Sequence, residues 1–193
     1  MASDLDPDRK KNAGLEHSLL TSSEKVLEQM PSRFRLDHEE GFEVGWTFSQ
    51  DPPSGGAGAV NRLTVPFSKY KTGYFTYDGE LNQYHIAQTL DGSDLIFYLD
   101  GFTDQEVLAS NVLVLYTDVG LIKGDDKGRS SVRTTGTGSG LLLRDGQRYE
   151  ITWKRDQRTD CYSFLDRTGR AVPLAVGPSY INIVDASAEV TWE

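Results

Sequence analysis

Few groupings in this chain could do chemistry, and the densest is TTGTGSGLLLRDGQRYEITWKR, residues 134–155, with Gly136, Gly138 and Gly140 at alternate positions. A phosphate loop needs glycines separated by four residues, a following Lys-Ser/Thr pair, and a helix whose first amides face the anion. Here Leu141, Leu142 and Leu143 follow, then Asp145-Gly146, so no lysine is supplied and no helix begins. The dinucleotide spacing G-x-G-x-x-G fails as well, because the third glycine comes one residue early. Alternate glycines on a strand instead strip one face of side chains, which permits a bend, a bulge or close approach of another layer. The alternative is a groove in which a ligand lies on bare backbone.

Carboxylates are abundant, among them Asp78, Asp91, Asp94, Asp100 and Asp104. A glycosidase-like pair could be drawn from them. Most stand beside glycine in turn material, where aspartate is favoured because it bonds its own backbone. Asp4, Asp6 and Asp8 alternate like the start of a calcium loop, but Pro7 stiffens it, Arg9 stands where glycine is required, and Glu16 comes one position late. The single cysteine, Cys161, excludes an internal disulfide and any multi-cysteine zinc site. It lies in TDCYSFLD, which alternates like a strand and reads as a buried structural thiol. His17, His38 and His85 are all distant from it in sequence and form no signature with it. No metal site and no cofactor are expected.

Aromatic residues are the better lead: Tyr74, Phe75, Tyr77, Tyr84, Tyr98, Trp153, Tyr180 and Trp192, with Trp46 earlier. On strands, neighbours such as Tyr74 and Phe75 point to opposite faces, so a core face and a stacking face for sugars or peptides are both available. Asn111 heads the apolar run NVLVLY and reads as a cap or bridge at a sheet edge.

The elements that must position these residues are short strands. FEVGWTFS, AVNRLTVPF, TGYFTYD, NQYHIAQT and NVLVLYTDV are rich in Val, Thr, Phe and Tyr and are separated by turn material such as QDPPSGGAG, SKYK and DGEL. Further turns fall at Asp145-Gly146, Thr168-Gly169 and Gly177-Pro178. About ten to twelve strands at this spacing predict a mainly β fold, an antiparallel sandwich or partly open barrel with one or two short helices. LDGFTDQEVLASN lacks alternation and predicts a helical turn or loop. Ahead of the strands, residues 1–15 are polar and predict a mobile segment; residues 16–193 predict one β-rich domain. TSSEKVLEQM predicts a helix capped by Thr21 with Glu24 three residues on, ending at or before Pro31.

With 29 acidic and 20 basic residues the formal charge is −9, which repels nucleic acid and anionic membrane surfaces. The local clusters at Lys154, Arg155, Arg158, Arg167 and Arg170 read as solvated hairpin surface. No window reaches the roughly 18 apolar residues of a membrane-spanning helix. The charged start does not read as a signal peptide, so any signal or anchor is expected to lie outside this sequence.

Several stretches together resemble the C-terminal part of the bacterial DUF3048 family. They are HSLLTSSEKVLEQM, FTYDGELNQY, NVLVLYTDV, GRSSVRTTGTGSGLLLRDGQRYEITWKR and FLDRTGRAVPLAVGPSYINIV, and their order and spacing carry the likeness. The resemblance implies an extracytoplasmic, lipid-anchored protein with another domain N-terminal to this one, and brings no catalytic residues. It also leads one to expect Tyr-x-Arg after the YD stretch and a His-x-Asp element further on. YHIAQTLDGSD offers His85 and Ala87 but no arginine, and the second histidine is missing, so a site built on those two residues does not transfer.

The leading expectation is a non-catalytic binding or scaffold module of the cell envelope. Its partners would be a wall polymer, a peptide or envelope protein, and the N-terminal domain outside this sequence. The residues placed on its surface are Asp78, Tyr84, Asn111, Gly136, Gly138, Gly140, Trp153 and Tyr180. Two alternatives stand beside it: a hydrolase of an envelope polymer using paired carboxylates, and a domain that supports its neighbour or dimerises through a free sheet edge.

Overall fold

The computed structural model describes residues 4–13, 19–33, 45–101 and 103–193. The chain divides into two compact units, Met1–Glu43 and Val44–Glu193. The expected segment 1–15 and the helix expected over 21–30 both fall in the first.

In that first unit, β1 (Asp4–Leu5) pairs antiparallel with β2 (Leu19–Leu20), and two helices form, α1 (Pro7–Ala13) and α2 (Ser23–Arg33). Asp6 caps α1 by accepting the Asp8 N–H at 3.0 Å, and Pro7 occupies the first helical position, where a missing N–H costs nothing. Of the alternating aspartates, Asp4 thus lies in β1, and Asp6 and Asp8 begin a helix. Ser22, not Thr21, caps α2: its hydroxyl accepts the Lys25 N–H at 3.3 Å and its carbonyl the Val26 N–H at 3.0 Å. The helix runs on through Pro31 to Arg33, beyond the expected stop, so the proline sits in its last turn.

The second unit carries two sheets. Its strands are β3 (Arg62–Ser68), β4 (Lys71–Asp78), β5 (Gln83–Leu90), β6 (Ile96–Phe97), β7 (Leu108–Ala109), β8 (Asn111–Thr117), β9 (Val119–Leu121), β10 (Ser130–Val132), β11 (Gly136–Arg144), β12 (Gln147–Arg155), β13 (Ser163–Leu165), β14 (Ser179–Asp185) and β15 (Thr191–Trp192). Six of them form an antiparallel sheet in the order β15-β3-β4-β5-β6, with β7 also on β5. Five form a second sheet, β13-β12-β11-β8-β14, antiparallel except that β14 runs parallel to β8. β9 and β10 make a separate hairpin. The fold is mainly β, an open sandwich with two short helices, as the strand spacing predicts. LDGFTDQEVLASN forms no helix among its described residues; it loops after β6 and then supplies β7 and the first residue of β8.

Alternation along each strand decides what is buried. Val112 and Val114 of β8 join Leu141, Leu143 and Val184 in packing against Leu63, Val65, Phe75, Tyr84 and Ile86 of the facing sheet. Leu113 and Leu115 point the other way, into a second core with Leu142, Tyr149, Ile151, Trp153 and Phe164. The central strand is buried on both faces, which is why NVLVLY is nearly continuous in apolar residues. What covers the second face is irregular chain: Val172, Leu174 and Trp46 pack there. Phe48 bridges to Leu174, whose N–H donates to the Thr47 carbonyl at 2.8 Å. FEVGWTFS therefore supplies one bridge instead of a strand over its described residues 45–49.

Candidate functional site

Gly138 lies directly opposite Trp153 and Gly140 opposite Ile151. The Trp153 indole lies across Gly138 and donates from Nε1 to the Tyr116 carbonyl at 2.8 Å. A Cβ on Gly138 would stand 2.5 Å from that Nε1 and 2.6 Å from the Tyr116 oxygen; one on Gly140 would stand 2.7 Å from the Val114 oxygen. The bare face admits the indole and a neighbouring strand, not a ligand. Gly136, with φ +97°, abuts the Arg133 guanidinium, which also stacks on Trp153 at 5.2 Å.

Of the other residues placed on a binding surface, Tyr84 and Asn111 are wholly buried. The Tyr84 hydroxyl accepts the Gly146 N–H at 3.2 Å, and burial pushes its pKa up. Asn111 clamps the loop ahead of β14: Nδ2 donates to the Ala175 carbonyl (2.9 Å) and Ser179 Oγ (3.1 Å), and Oδ1 accepts the Ala175 N–H (2.7 Å). Tyr180 is half-buried, packed on Phe75 and Tyr98. Asp78 shapes a turn, accepting from the Glu80 and Leu81 N–H groups at 2.8 and 3.1 Å.

Asp78 also meets a residue that the sequence singles out only by type. His85 places Nε2 3.4 Å from Asp78 Oδ2 and Nδ1 2.5 Å from Glu106 Oε2. Glu106 foremost, and Asp78 after it, raise the pKa of His85. Both ring nitrogens face carboxylates, so neither is free to take a proton from a nucleophile. The cluster ties the β6–β7 loop to the sheet. His17 and His38 lie outside the described residues. Cys161 is half-buried and precedes β13, because Asp160 closes a turn by accepting the Gln157 N–H at 2.8 Å and delays the strand to Ser163.

Recesses gather instead around β12. Among the described residues, its outer edge is paired near its start and again toward its end. Arg148 exchanges backbone bonds with Ala57 (2.7 Å) and Gly58 (3.1 Å), and the ladder to β13 begins at Thr152↔Leu165. Glu150 stands in the gap between. Beside the gap opens a cleft of about 640 Å³, walled by Pro53–Ala57 and by the turn Asp166–Pro173, with Tyr149 and Glu150 at its base. On the opposite face of β12 lies a groove of about 370 Å³ lined by Tyr116, Ser139, Leu141, Arg148, Thr152 and Trp192, among others. Glu150 and Arg167 border both. The groove exists because the facing sheet ends in the two-residue strand β15. Past that end β12 presents Arg148, Glu150 and Thr152 where a covered strand would carry apolar residues.

The walls are held by polar bonds. Arg167 Nη2 donates to Glu150 Oε2 at 2.5 Å, and Arg148 Nη1 to Glu150 Oε1 at 3.4 Å, which together hold the Glu150 carboxyl below its usual range, Arg167 foremost. The Arg148 guanidinium stacks on Trp192 at 4.3 Å from the ring centre. In the far wall, Asp166 accepts from the Thr168 hydroxyl (2.6 Å) and N–H (2.8 Å) and the Arg170 N–H (3.0 Å); the Thr168 hydroxyl leads in lowering its carboxyl to about 2. Arg144, fully buried, was missed by sequence reasoning. Its guanidinium donates to Asp145 (2.6 Å), the Pro173 carbonyl (3.1 Å) and the Ser49 carbonyl (3.1 Å), joining one cleft wall and the chain just ahead of the other to the hairpin turn. An arginine interrupting LLLR–DG is visible in sequence, but only the fold shows that it points inward.

Chemically the trough offers guanidinium, carboxylate and hydroxyl groups around aromatic and aliphatic surface, an inventory for recognition. Among the described residues, every carboxylate whose titration is displaced is displaced downward: Asp78, Asp125, Glu150, Asp166 and Asp185. A proton-donating carboxylic acid requires displacement the other way.

The fold and trough define a β-sandwich domain whose outer face is closed by loops. Residues 63–181 match the family model described as the C-terminal domain of a protein of unknown function, DUF3048, and the chain belongs to that family. Among solved structures it is similar to the crystal structure of YerB protein from Bacillus subtilis, with a TM-score of 0.65 and 20% identity. That match covers 91% of this chain and 56% of the YerB chain, so this chain spans little more than half the length of that relative. No curated protein matches the chain.

Proposed function

We propose that this domain is a non-catalytic binding module whose ligand lies in the trough astride β12, and that it serves in an extracytoplasmic protein of the cell envelope. The observation that carries the binding reading is the meeting of the two recesses at the Glu150–Arg167 pair, beside an interrupted sheet edge. Extended ligands favour such places, because backbone and side-chain groups are both within reach. The envelope setting is supported by the family resemblance, and a further domain ahead of this one by the description of the matching family model as a C-terminal domain. The downward-shifted carboxylates lend the hydrolase reading no support.

Incubation of the purified protein with insoluble cell-wall sacculi, followed by centrifugation, tests this. Protein is expected in the pellet with no soluble fragments released, and Arg167→Glu, which sets like charges at the ridge, is expected to leave it in the supernatant. Released fragments would establish a hydrolase instead. Pelleting untouched by Arg167→Glu would remove the trough from the account.

A second reading, self-association or support of a neighbouring domain, has one observation in its favour. Leu95, Ile96, Phe97 and Leu99 are all exposed at or beside the edge strand β6.

A further inference from the structure

The geometry points to a linear, uncharged glycan as the ligand of the β12 trough, with one sugar ring stacked on Trp192; this rests on the binding reading above. Trp192 is 45% exposed, whereas Trp153 is 1% exposed and committed to the core. The Arg148 guanidinium covers one face of the Trp192 ring and so fixes its orientation. With Arg148 seated against the ring, nearly half of Trp192 still stands exposed, a held apolar plate suited to the C–H face of a pyranose.

Around that plate stand the groups that paired sugar hydroxyls require. Ser139 and Thr152 supply hydroxyls that both donate and accept, Arg148 supplies donors, and Glu150 supplies acceptors. The arrangement is amphipathic in the way a sugar ring is, with one apolar side and a polar perimeter. A groove of about 370 Å³ is at the small end of ligand sites, typically about 300–1,000 Å³, and admits a sugar unit more readily than a folded partner. The larger cleft continues from it across Glu150 and Arg167, so a chain of rings has somewhere to go.

Charge decides against polyanions. Arg148 and Arg167 are both paired to Glu150, and Arg170 to Asp166. The trough therefore presents little net positive charge, on a chain of formal charge −9. A phosphate-rich polymer would meet a repelling field with a single uncompensated cation, the excess of Arg148 and Arg167 over Glu150, to offset it.

The test is titration of the whole protein with neutral linear tetrasaccharides (cello-, chito- and malto-series) and with a short cell-wall peptide, read by tryptophan emission and calorimetry. At least one tetrasaccharide is expected to bind and to shift emission, with an affinity unchanged between about 0.05 and about 0.5 M salt. Trp192→Ala is expected to weaken that binding at least about tenfold by calorimetry, while its thermal midpoint shows that the fold persists. Ser139→Phe, which fills the groove from an exposed position, is expected to abolish it without removing the indole. Silence from the whole panel, or binding indifferent to both variants, overturns the glycan assignment. If the peptide binds and the glycans do not, the assignment falls while the binding reading stands; if sacculi also fail to bind, both fall together.

Discussion

At the scale of single residues, the glycine run and the buried arginine carry the sharpest consequences. Gly138→Ala forces a methyl group to within 2.6 Å of the Tyr116 carbonyl, which is backbone and cannot swing away. The indole must shift, breaking its hydrogen bond, and a loss of about 3 kcal/mol is expected from overpacking and the orphaned carbonyl together, measurable by urea unfolding. A variant as stable as the parent would mean that the indole is not where the structure puts it. Arg144→Met takes the cationic partner from the Asp145 carboxylate, which keeps only the Asn82 Nδ2 donor at 3.0 Å, and takes the guanidinium donors from the carbonyls of Ser49 and Pro173. Arg144 is fully buried but the Asp145 side chain is partly exposed, so a loss of about 2–3 kcal/mol is expected in urea unfolding. Because Pro173 lines one cleft wall and Ser49 lies a few residues ahead of the other, ligand affinity should fall in the same variant even where it remains folded.

At the scale of elements, the β6–β7 loop is held to β5 by a side chain that titrates. His85 reaches back to Asp78 at the end of β4 and forward to Glu106 in the loop, while Arg62 and Tyr74 share the shallow recess around it. Both carboxylates raise its folded-state pKa, Glu106 foremost. The linkage therefore stabilises the folded loop fully below the unfolded histidine value of about 6.5 and fades as pH rises through the higher folded value. Amide-exchange protection at Gln105 and Val107, corrected for intrinsic rates, is expected to fall across that window. His85→Gln should flatten the profile. A profile that is already flat in the parent, or that rises with pH, would show that the ring is not so bracketed. The trough should be indifferent to this titration, since none of its lining groups belongs to the His85 cluster.

At the scale of the whole molecule, a short apolar strand at the rim of an antiparallel sheet is an invitation to pairing. Sedimentation is expected to show concentration-dependent association of the protein, and Ile96→Lys, a charge on the exposed edge strand, to leave monomers at all concentrations. If the parent is monomeric throughout, the dimerisation reading loses its one supporting feature. Either result leaves the binding trough untouched, because β6 ends the six-stranded sheet on the side away from β15 and Trp192.

What the sequence by itself determined was local. Alternating Val, Thr and aromatic residues forced strands, and Asp145-Gly146, both at positive φ, forced the tight turn between β11 and β12. An unbroken NVLVLY forced a strand buried on both faces. Even the failure of the phosphate-loop pattern was legible, since no helix could follow three leucines and a turn. What only the tertiary structure decided was which faces meet. Periodicity says that Gly138 and Gly140 share a side of β11, but the register that lays Trp153 over the first arises between strands. Arg148, Glu150 and Thr152 read in sequence as an ordinary solvated face, and Trp192 as one aromatic among many. They become a groove because the facing sheet stops two residues wide at β15 and the edge neighbours of β12 leave Glu150 between them. The ends of sheets are set by competition among many distant segments for the same edges and cores, and no local spacing records its outcome.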